Sequence, residues 1–158
     1  MRIGFSKDIH RLVKDRKLIL GGIEIPSEFG CLAHSDGDVL IHAIVDACIG
    51  ALALGDIGEI FPDTDVRYKD ISSTFFLEEI QKVIKQSGYE IENIDTLIVL
   101  EAPKLKKYKT EMKEKIAKCL GIDASKVNIK AGTNEGVDAI GKKEAVEAYA
   151  TVLLRKVC

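Results

Sequence analysis

Apolar residues at helical spacing predict three helices. The clearest one covers residues 72–87, where every third or fourth residue is apolar and a glycine follows. The first helix begins near Ser35 or Asp36, both of which are residue types that cap helix N-termini well. The predicted helices are residues 35–54, 72–87 and 107–120, ending before Gly55, Gly88 and Gly121 respectively.

Shorter apolar runs bounded by glycine or proline predict strands. The run over residues 18–25 is divided by Gly21 and Gly22, which predicts a hairpin with a two-residue turn. The last segment, residues 143–154, fits both the helical and the strand period, so periodicity leaves both structures open there. The predicted strands are residues 1–10, 18–20, 23–25, 95–100 and 127–131.

The alternation of strands and helices predicts one domain, residues 1–158, with a sheet covered by helices on one face. A domain of this size leaves the second face of the sheet in need of cover. An oligomer is therefore expected.

The composition is that of a soluble globular protein and narrows the range of partners. Apolar residues make up 46% of the chain, and 23 Lys and Arg face 25 Asp and Glu. Since this balance gives no basic field, nucleic acid is not an expected partner. The longest mostly apolar stretch, residues 39–54, contains His42 and Asp46 and falls short of the about 20 residues that cross a bilayer. No membrane span is expected, whereas phosphorylated small molecules need only local charge or a metal.

The four cysteines are scattered, with no C-x-x-C pair, which is typical of free thiols in a reducing compartment. The first residues lack the apolar core of a secretion signal. We therefore expect a cytoplasmic location, or a plastid-type organelle if a transit peptide precedes the chain.

Two histidines and an aspartate have the composition of a catalytic zinc site. Asp8 and His10 are two residues apart and share one face of the first predicted strand, while His42 lies on the first predicted helix. Together they would leave a fourth zinc position open. Asp38 or Asp46, one turn from His42, could then orient its ring through the second nitrogen. The alternative is that Asp8 and His10 lie on the surface and His42 is a hydrogen-bonded core histidine.

Other polar segments could contact a phosphorylated ligand, each with a plainer alternative. Residues 34–38 precede a helix whose N–H groups could bind phosphate, although a simple N-cap is the commoner explanation. The acidic loop of residues 56–65 could bind sugar hydroxyls or be a solvated turn. The basic cluster of residues 104–109 could face an anion or solvent. In the loop of residues 132–136, Glu135 could bind a hard cation such as Mg²⁺.

Taken together, these segments closely resemble the 2-C-methyl-D-erythritol 2,4-cyclodiphosphate synthases of the non-mevalonate route to isoprenoids. The resemblance rests on the sequences HSDGDVLIH at residues 34–42, LGDIG at 54–58 and FPDTD at 61–65. It covers essentially the whole chain, and continues through Asp8-Ile9-His10, Gly21-Gly22, Ala102-Pro103-Lys104 and the loop with Thr133 and Glu135.

The resemblance implies a reaction and an assembly. The substrate would be 4-diphosphocytidyl-2-C-methyl-D-erythritol 2-phosphate, whose 2-phosphate attacks its own β-phosphorus and releases CMP, so the enzyme would be a phosphorus–oxygen lyase. Positioning and charge neutralisation would supply most of the acceleration. The implied fold is α+β, a two-layer domain with a mixed, mostly four-stranded sheet and helices on one face. The implied assembly is a homotrimer with sheets around the threefold axis and active sites between subunits, which favours a strand for residues 143–154.

The resemblance also implies roles for individual residues. Zn²⁺ would be held by Asp8, His10 and His42, and a second ion, Mg²⁺ or Mn²⁺, by Glu135. His34 and Thr133 would stabilise the transition state. Residues 56–65 would line the methylerythritol phosphate part, and residues 100–106 with 132–135 the cytidine part. The implied substrate contacts are Asp8, Ile9, His10, His34, Ser35, Asp56, Ile57, Gly58, Phe61, Pro62, Asp63, Thr64, Asp65, Leu100, Glu101, Ala102, Pro103, Lys104, Leu105, Lys106, Gly132, Thr133, Asn134, Glu135 and Lys142.

The chain departs from the family's usual residues near the N-terminus and in one loop. Phe5-Ser6-Lys7 stands where the family has a second glycine and aromatic residues. Gly132, Ala139 and Lys142 stand where Thr, Phe and Arg are common, and the last two positions are associated with substrate phosphate and a central cavity for isoprenoid diphosphates. Two further hypotheses are a slow zinc-containing trimeric binding protein on the same scaffold and a metal-dependent phosphohydrolase.

Overall fold

A five-stranded mixed sheet forms one layer of the structure, a computed structural model that describes residues 1–62 and 64–157. The strand order in the sheet is β4-β1-β7-β5-β6, with β5 and β6 parallel and the other neighbours antiparallel. The pair β2-β3 forms a separate antiparallel hairpin around Gly21 and Gly22, as predicted. The strands are β1 (Arg2–Lys14), β2 (Leu18–Leu20), β3 (Ile23–Ile25), β4 (Phe29–Cys31), β5 (Tyr89–Val99), β6 (Val127–Gly132) and β7 (Ala145–Lys156).

The expected, mostly four-stranded sheet is corrected to five strands. The extra strand β4 pairs with the end of β1, which continues to Lys14 rather than stopping at His10. A three-residue strand is too short to show alternation, so β4 leaves no periodic signal in the sequence.

Three helices of at least 12 residues confirm the predicted ones, with shifted ends. The N-cap of the first helix is Asp38 rather than Ser35 or Asp36, and the helix ends at Ala53, whose φ of 59° is left-handed, before Gly55 is reached. Two four-residue helices escape prediction, because four residues hold little more than one helical turn. The helices are α1 (Val39–Leu52), α2 (Ile57–Ile60), α3 (Thr74–Gln86), α4 (Lys109–Leu120) and α5 (Asp138–Gly141), with 3₁₀ turns at Val66–Tyr68, Lys106–Tyr108 and Ala124–Lys126.

The ambiguous C-terminal segment is a central strand. β7 pairs with β1 on one side and with β5 on the other, so both of its edges are hydrogen-bonded. Its alternate residues face the helices and are almost fully buried: Val146, Ala148, Ala150, Val152 and Leu154. The strand period, rather than the helical one, is therefore the meaningful pattern.

The helices α1, α3 and α4 cover one face of the sheet and enclose the main apolar core, so the two-layer arrangement is confirmed. The opposite face carries apolar side chains of β1 in the open: Ile3, Phe5 and Ile9 are 70%, 66% and 46% exposed. Among the described helices, none is long and apolar enough to cross a membrane.

Three of the cysteines have free thiols, as predicted: Cys31 and Cys48 are buried, and Cys119 is half-buried. Burial raises the pKa of Cys31 and Cys48 to about 12. Cys158 lies outside the described residues.

Strand β1 and helix α1 touch backbone to backbone. A Cβ atom placed on Gly4 would lie 1.8 Å from the carbonyl oxygen of Ala47 and 2.9 Å from the nitrogen of Ala51. Only glycine permits this approach, so Gly4 sets the distance between the strand and the helix that carry the candidate metal ligands.

Candidate active site

Asp8, His10 and His42 bring three ligand atoms together between β1 and α1. Asp8 and His10 lie on the helix-facing side of the strand, and His42 lies in the first turn of the helix. Asp8 Oδ2 is 3.0 Å from His10 Nε2 and 3.1 Å from His42 Nδ1, and the two nitrogens are 3.3 Å apart. Over residues 1–62 and 64–157, this is the one cluster of at least three His, Cys, Asp or Glu side chains whose ligand atoms lie within 4.8 Å of one another.

The spacing of these atoms matches a tetrahedral metal site. Zn–N and Zn–O bonds of about 2.0–2.1 Å place neighbouring ligands of a tetrahedron about 3.3 Å apart. The observed separations of 3.0–3.3 Å therefore fit three corners, leaving the fourth for another ligand. The structure favours the metal hypothesis over a surface pair and an unrelated core histidine.

Electrostatics in the triad favour a charged carboxylate beside the rings. Burial alone would raise the pKa of Asp8, but hydrogen bonds with His10 and His42 hold it well below its usual range. Burial lowers the pKa of His42, yet the hydrogen bond and negative charge of Asp8 outweigh burial and raise it. A cation is thus stabilised between these three side chains, whether it is a proton or a metal ion.

The second nitrogen of His42 contacts hydroxyls, not carboxylates. Nε2 lies 2.9 Å from Ser73 Oγ and 3.2 Å from Ser35 Oγ. The prediction that Asp38 or Asp46 orients this ring is wrong, because both carboxylates accept hydrogen bonds from other groups.

Asp38 is a buried cap that joins α1 to the hairpin. Its carboxylate accepts the N–H of Ile41 at 3.0 Å, of Gly21 at 3.0 Å and of Gly22 at 2.7 Å. Burial and the charge of Asp36 raise the pKa of Asp38 to about 6, against the lowering effect of the three N–H groups. The plain N-cap explanation is confirmed for the start of α1.

Asp46 links three elements at one point. Its Oδ2 accepts the hydroxyl proton of Ser6 on β1 at 2.5 Å, and its Oδ1 accepts the N–H of Ile57 at 2.8 Å. Ile57 is the first residue of α2, so Asp46 anchors that helix to the strand that carries Asp8.

A cavity of about 440 Å³ opens beside the triad. The residues that line it include seven that the sequence singled out, namely His10, His34, Ser35, His42, Ile57, Gly58 and Phe61. His34 is exposed and Ser35 is half-buried, so both retain surface that can reach a ligand in the cavity. Because His10 and His42 both line the cavity, a ligand bound in it would lie beside the metal position.

The acidic loop contributes less to this cavity than expected. Asp56 caps α2, accepting the N–H of Glu59 at 3.0 Å, while Asp65 caps the following turn and pairs with Arg67 at 2.6 Å. Asp56, Pro62, Thr64 and Asp65 are not among the lining residues, and Asp63 lies outside the described residues.

The expected cytidine residues border a different cavity, of about 410 Å³. Its lining includes Leu100, Glu101, Pro103, Lys104, Leu105, Lys106, Gly132 and Thr133. Ala102 does not line it, and the basic cluster contributes Lys104, Lys106 and Lys109. The two cavities share no lining residue among those described. Within a single chain, His10 and His42 therefore border one cavity and Thr133 borders the other.

Glu101 holds the loop of residues 132–136 in place. Its Oε1 accepts the Asn134 N–H at 2.7 Å, and the Asn134 amide donates to Asp138 at 2.7 Å. Glu135 is exposed, with a φ of 52°, and accepts a hydrogen bond from the Thr133 hydroxyl at 3.2 Å. It belongs to no three-residue ligand cluster in the described part of the chain.

Two further predicted contacts lie away from both cavities in this chain. Lys142 is the exposed C-cap of α5, and Ile9 lies on the face of β1 opposite Asp8 and His10.

Sequence reasoning missed the aromatic wall of the first cavity and the hydroxyl behind His42. Phe76 and Tyr68 line the cavity with Leu32 and Ala33, and the rings of Phe61 and Phe76 are 4.9 Å apart. Helical spacing predicts Phe76 as a core residue of its helix, which it also is, since it is 4% exposed. Ser73 carries no signal, because a serine before a helix normally indicates an N-cap.

Comparison with known proteins identifies the family of this chain. The YgbB family matches residues 1–155. A 2-C-methyl-D-erythritol 2,4-cyclodiphosphate synthase from Lachnospira eligens is 54% identical over 99% of this chain and 86% of its own. The synthase of the same name from Caldicellulosiruptor bescii is 50% identical over 97% of this chain and 98% of its own. A solved structure described as "IspF (Plasmodium falciparum) CDP complex" has a TM-score of 0.87 at 34% identity, covering 99% of this chain and 97% of that one. The chain therefore belongs to the YgbB family, to which its resemblance to the cyclodiphosphate synthases already pointed.

Proposed function

We propose that the protein converts 4-diphosphocytidyl-2-C-methyl-D-erythritol 2-phosphate into 2-C-methyl-D-erythritol 2,4-cyclodiphosphate and releases CMP. The single observation that carries this proposal is the tetrahedral spacing of Asp8, His10 and His42 beside a cavity with His34 and Ser35, in a chain of this family. A relative's description as a CDP complex supports a substrate with a cytidine diphosphate group.

The reaction is an internal phosphoryl transfer. An oxygen of the substrate's 2-phosphate forms a bond to the β-phosphorus, and the bond between that phosphorus and the bridging oxygen breaks. The bridging oxygen leaves with CMP, so no water is consumed and the enzyme is a phosphorus–oxygen lyase. The protein must bend the substrate, exclude water and neutralise phosphate charge.

The metal ligands and the residues of the first cavity have different roles in this reaction. Asp8, His10 and His42 would hold Zn²⁺, which supplies a Lewis acid for phosphate oxygens when it is bound. His34 and Ser35 donate hydrogen bonds to the phosphates from the wall beside the triad. Ile57, Gly58 and Phe61 enclose the methylerythritol part, with Pro62, Thr64 and Asp65 beyond them.

The residues of the second cavity bind the other end of the substrate. Residues 100–106 with Gly132 and Asn134 hold cytidine, and Thr133 donates a hydrogen bond to the diphosphate in the transition state. Glu135 would hold the second ion, Mg²⁺ or Mn²⁺, whose charge offsets that of the diphosphate. Lys142 and Ile9 contribute at the edge of the site.

A homotrimer brings the two cavities together. We infer that the first cavity of one subunit faces the second cavity of its neighbour, since the two share no described residue within one chain. The exposed side chains of Ile3 and Phe5 would be covered around the threefold axis.

Mixing inactive variants tests the shared site. His42→Ala and Thr133→Ala should each be inactive alone. Co-refolded together, they should regain activity, because a mixed trimer contains interfaces with an intact triad facing an intact Thr133. Absence of rescue, or a monomeric mass by light scattering, would contradict the shared site.

The reaction itself is tested by incubating the protein with the substrate, Zn²⁺ and Mg²⁺ and following products by phosphorus NMR. CMP together with a cyclic diphosphate is the expected result. CMP with a linear product would replace the proposal by phosphohydrolysis, and no turnover by zinc-bound protein would replace it by a binding function.

A further inference from the structure

A buried hydroxyl and a carboxylate lie behind His42, on the side away from the other two metal ligands. Ser73 is fully buried, and its Oγ lies 2.9 Å from His42 Nε2. The same Oγ contacts Asp36 Oδ1, while Asp36 Oδ2 accepts the N–H of Ser73 at 2.8 Å. Ser73 therefore stands between an imidazole and a carboxylate.

The proton positions in this chain of contacts follow from the number of available donors. An ionised carboxylate can only accept, so the single hydroxyl proton of Ser73 must be donated to Asp36. Toward His42 the serine oxygen can then only accept, so this contact requires a ring proton on Nε2. The ionised carboxylate of Asp8, 3.1 Å from Nδ1, can likewise only accept, so a metal ion binds the Nδ1 lone pair by replacing the proton there. Nδ1 is the atom that faces Asp8 and His10.

The Ser73 hydroxyl contacts His42 instead of capping helix α3. It is the N-cap of α3, where a serine hydroxyl commonly accepts an N–H of the first helical turn, yet it makes no such bond. The hydroxyl is instead committed to His42 and Asp36.

Backbone hydrogen bonds hold the two participating segments side by side. The N–H of Asp70 donates to the carbonyl of His34 at 2.9 Å, and the N–H of Asp36 donates to the carbonyl of Ile71 at 3.2 Å. This short pairing brings Asp36 next to Ser73, although 37 residues separate them in sequence. The arrangement is therefore fixed by the backbone and not by the side chains alone.

We propose that Ser73, supported by Asp36, is a positioning residue for His42. The pair fixes the orientation of the ring and the place of its proton, so that Nδ1 presents a lone pair to the metal position. The inference deepens the proposed function, on whose metal site it rests.

Zinc affinity, measured by competition with a chelator, tests the role of Ser73. Ser73→Ala should bind zinc about 10–100-fold more weakly, the usual cost of removing a hydrogen-bond partner of a metal ligand. Ser72→Ala is the matched control, because Ser72 is exposed and its hydroxyl contacts Thr74 at 2.9 Å. Unchanged affinity in Ser73→Ala, or an equal loss in Ser72→Ala, would overturn the proposal.

A ¹⁵N NMR spectrum of His42 supplies a readout that does not depend on the folding of a variant. In zinc-loaded wild type, Nδ1 should be bound to the metal and the ring proton should sit on Nε2, hydrogen-bonded to Ser73. In zinc-loaded Ser73→Ala, the Nε2 proton should lose this acceptor and exchange with water faster, an effect that Ser72→Ala should not cause. Zinc bound to Nε2 in wild type, or an unchanged exchange rate in Ser73→Ala, would show that Ser73 does not set the ring.

These measurements separate the inference from the function on which it rests. Wild-type protein that binds zinc with an Nε2 proton but forms no cyclic product would contradict the proposed reaction and leave the role of Ser73 intact. Cyclisation by wild type, together with unchanged zinc affinity in Ser73→Ala, would contradict the role of Ser73 alone.

Discussion

Replacing Gly4 by alanine should disrupt both the fold and the metal site. The new Cβ would lie 1.8 Å from the Ala47 carbonyl oxygen, whereas ordinary contacts begin at 3.4 Å, so α1 would have to retreat by roughly 1.5 Å at that point. The obstacle is backbone, which cannot swing aside as a flexible side chain can. We expect a loss of about 3 kcal/mol or more in the free energy of unfolding, the upper end for overpacked sites.

The same displacement should weaken zinc binding. Asp8 and His10 are carried by β1 and His42 by α1, so their separations of 3.0–3.3 Å depend on the spacing of strand and helix. A metal site tolerates errors of about 0.2 Å in its ligand distances. A helix shift several times larger should therefore lower zinc affinity even in molecules that still fold.

Urea unfolding and chelator competition measure the two effects. Gly50→Ala is the matched control: this glycine lies in α1, and a Cβ atom added there would meet no described atom within 4 Å beyond the adjoining backbone of its own helix. That substitution should therefore stabilise the protein by up to about 1 kcal/mol. The reasoning would be refuted if Gly4→Ala unfolded within about 1 kcal/mol of wild type and bound zinc normally.

Other substitutions and conditions test the remaining contacts. Asp46→Ala should raise KM several-fold, because α2 loses the carboxylate that accepts the Ile57 N–H. Asp46→Asn keeps an acceptor for this N–H and should restore KM. Equal effects of the two substitutions would contradict the anchoring role. The pKa of Asp38 is about 6 in the folded protein against 3.8 when unfolded, so its stabilising contribution is complete below about pH 3 and is lost as pH rises through 6, by about 3 kcal/mol. Measured in metal-free protein, the stability difference between wild type and Asp38→Asn should therefore shrink by that amount from pH 3 to 7, and a constant difference would refute the assignment. In a Cys158→Ser background, a thiol reagent should label Cys119 before unfolding and the two buried thiols only afterwards, so rapid labelling of all three would contradict their burial.

The sequence predicted those parts of the fold and site that depend on periodic spacing. Asp8 and His10 share a strand face because side chains alternate, and His42 faces them because it belongs to a polar stripe on an otherwise apolar helix. Helical spacing gave a wrong prediction for Asp38 and Asp46. They lie one turn from His42 and share its helix face, but their carboxylates do not contact its ring.

The roles of those two aspartates depend on which atoms of other elements lie opposite them, and spacing within one helix does not reveal this. Asp38 meets the N–H groups of a hairpin turn, and Asp46 meets Ser6 and the start of α2. Ser73 is a similar case, since its partner Asp36 is brought near by backbone pairing between two irregular segments.

Strand β1 and helix α1 meet along one line of contacts, which includes both a close backbone contact and the metal ligands. Two residues of a strand advance about 6.6 Å and four residues of a helix about 6 Å, so contacts one turn apart on α1 match every second residue of β1. Gly4 meets Ala47 and Ala51, Ser6 meets Asp46, and Asp8 meets His42, so from Ser6 to Asp8 the contact moves by four residues of α1. Because the register that packs the glycine is the register that brings the metal ligands together, a shift by one strand residue would turn Asp8 and His10 to the opposite face of the sheet. The metal site can therefore form only in a chain that has already docked this helix correctly, which ties activity to the packing of α1 against β1.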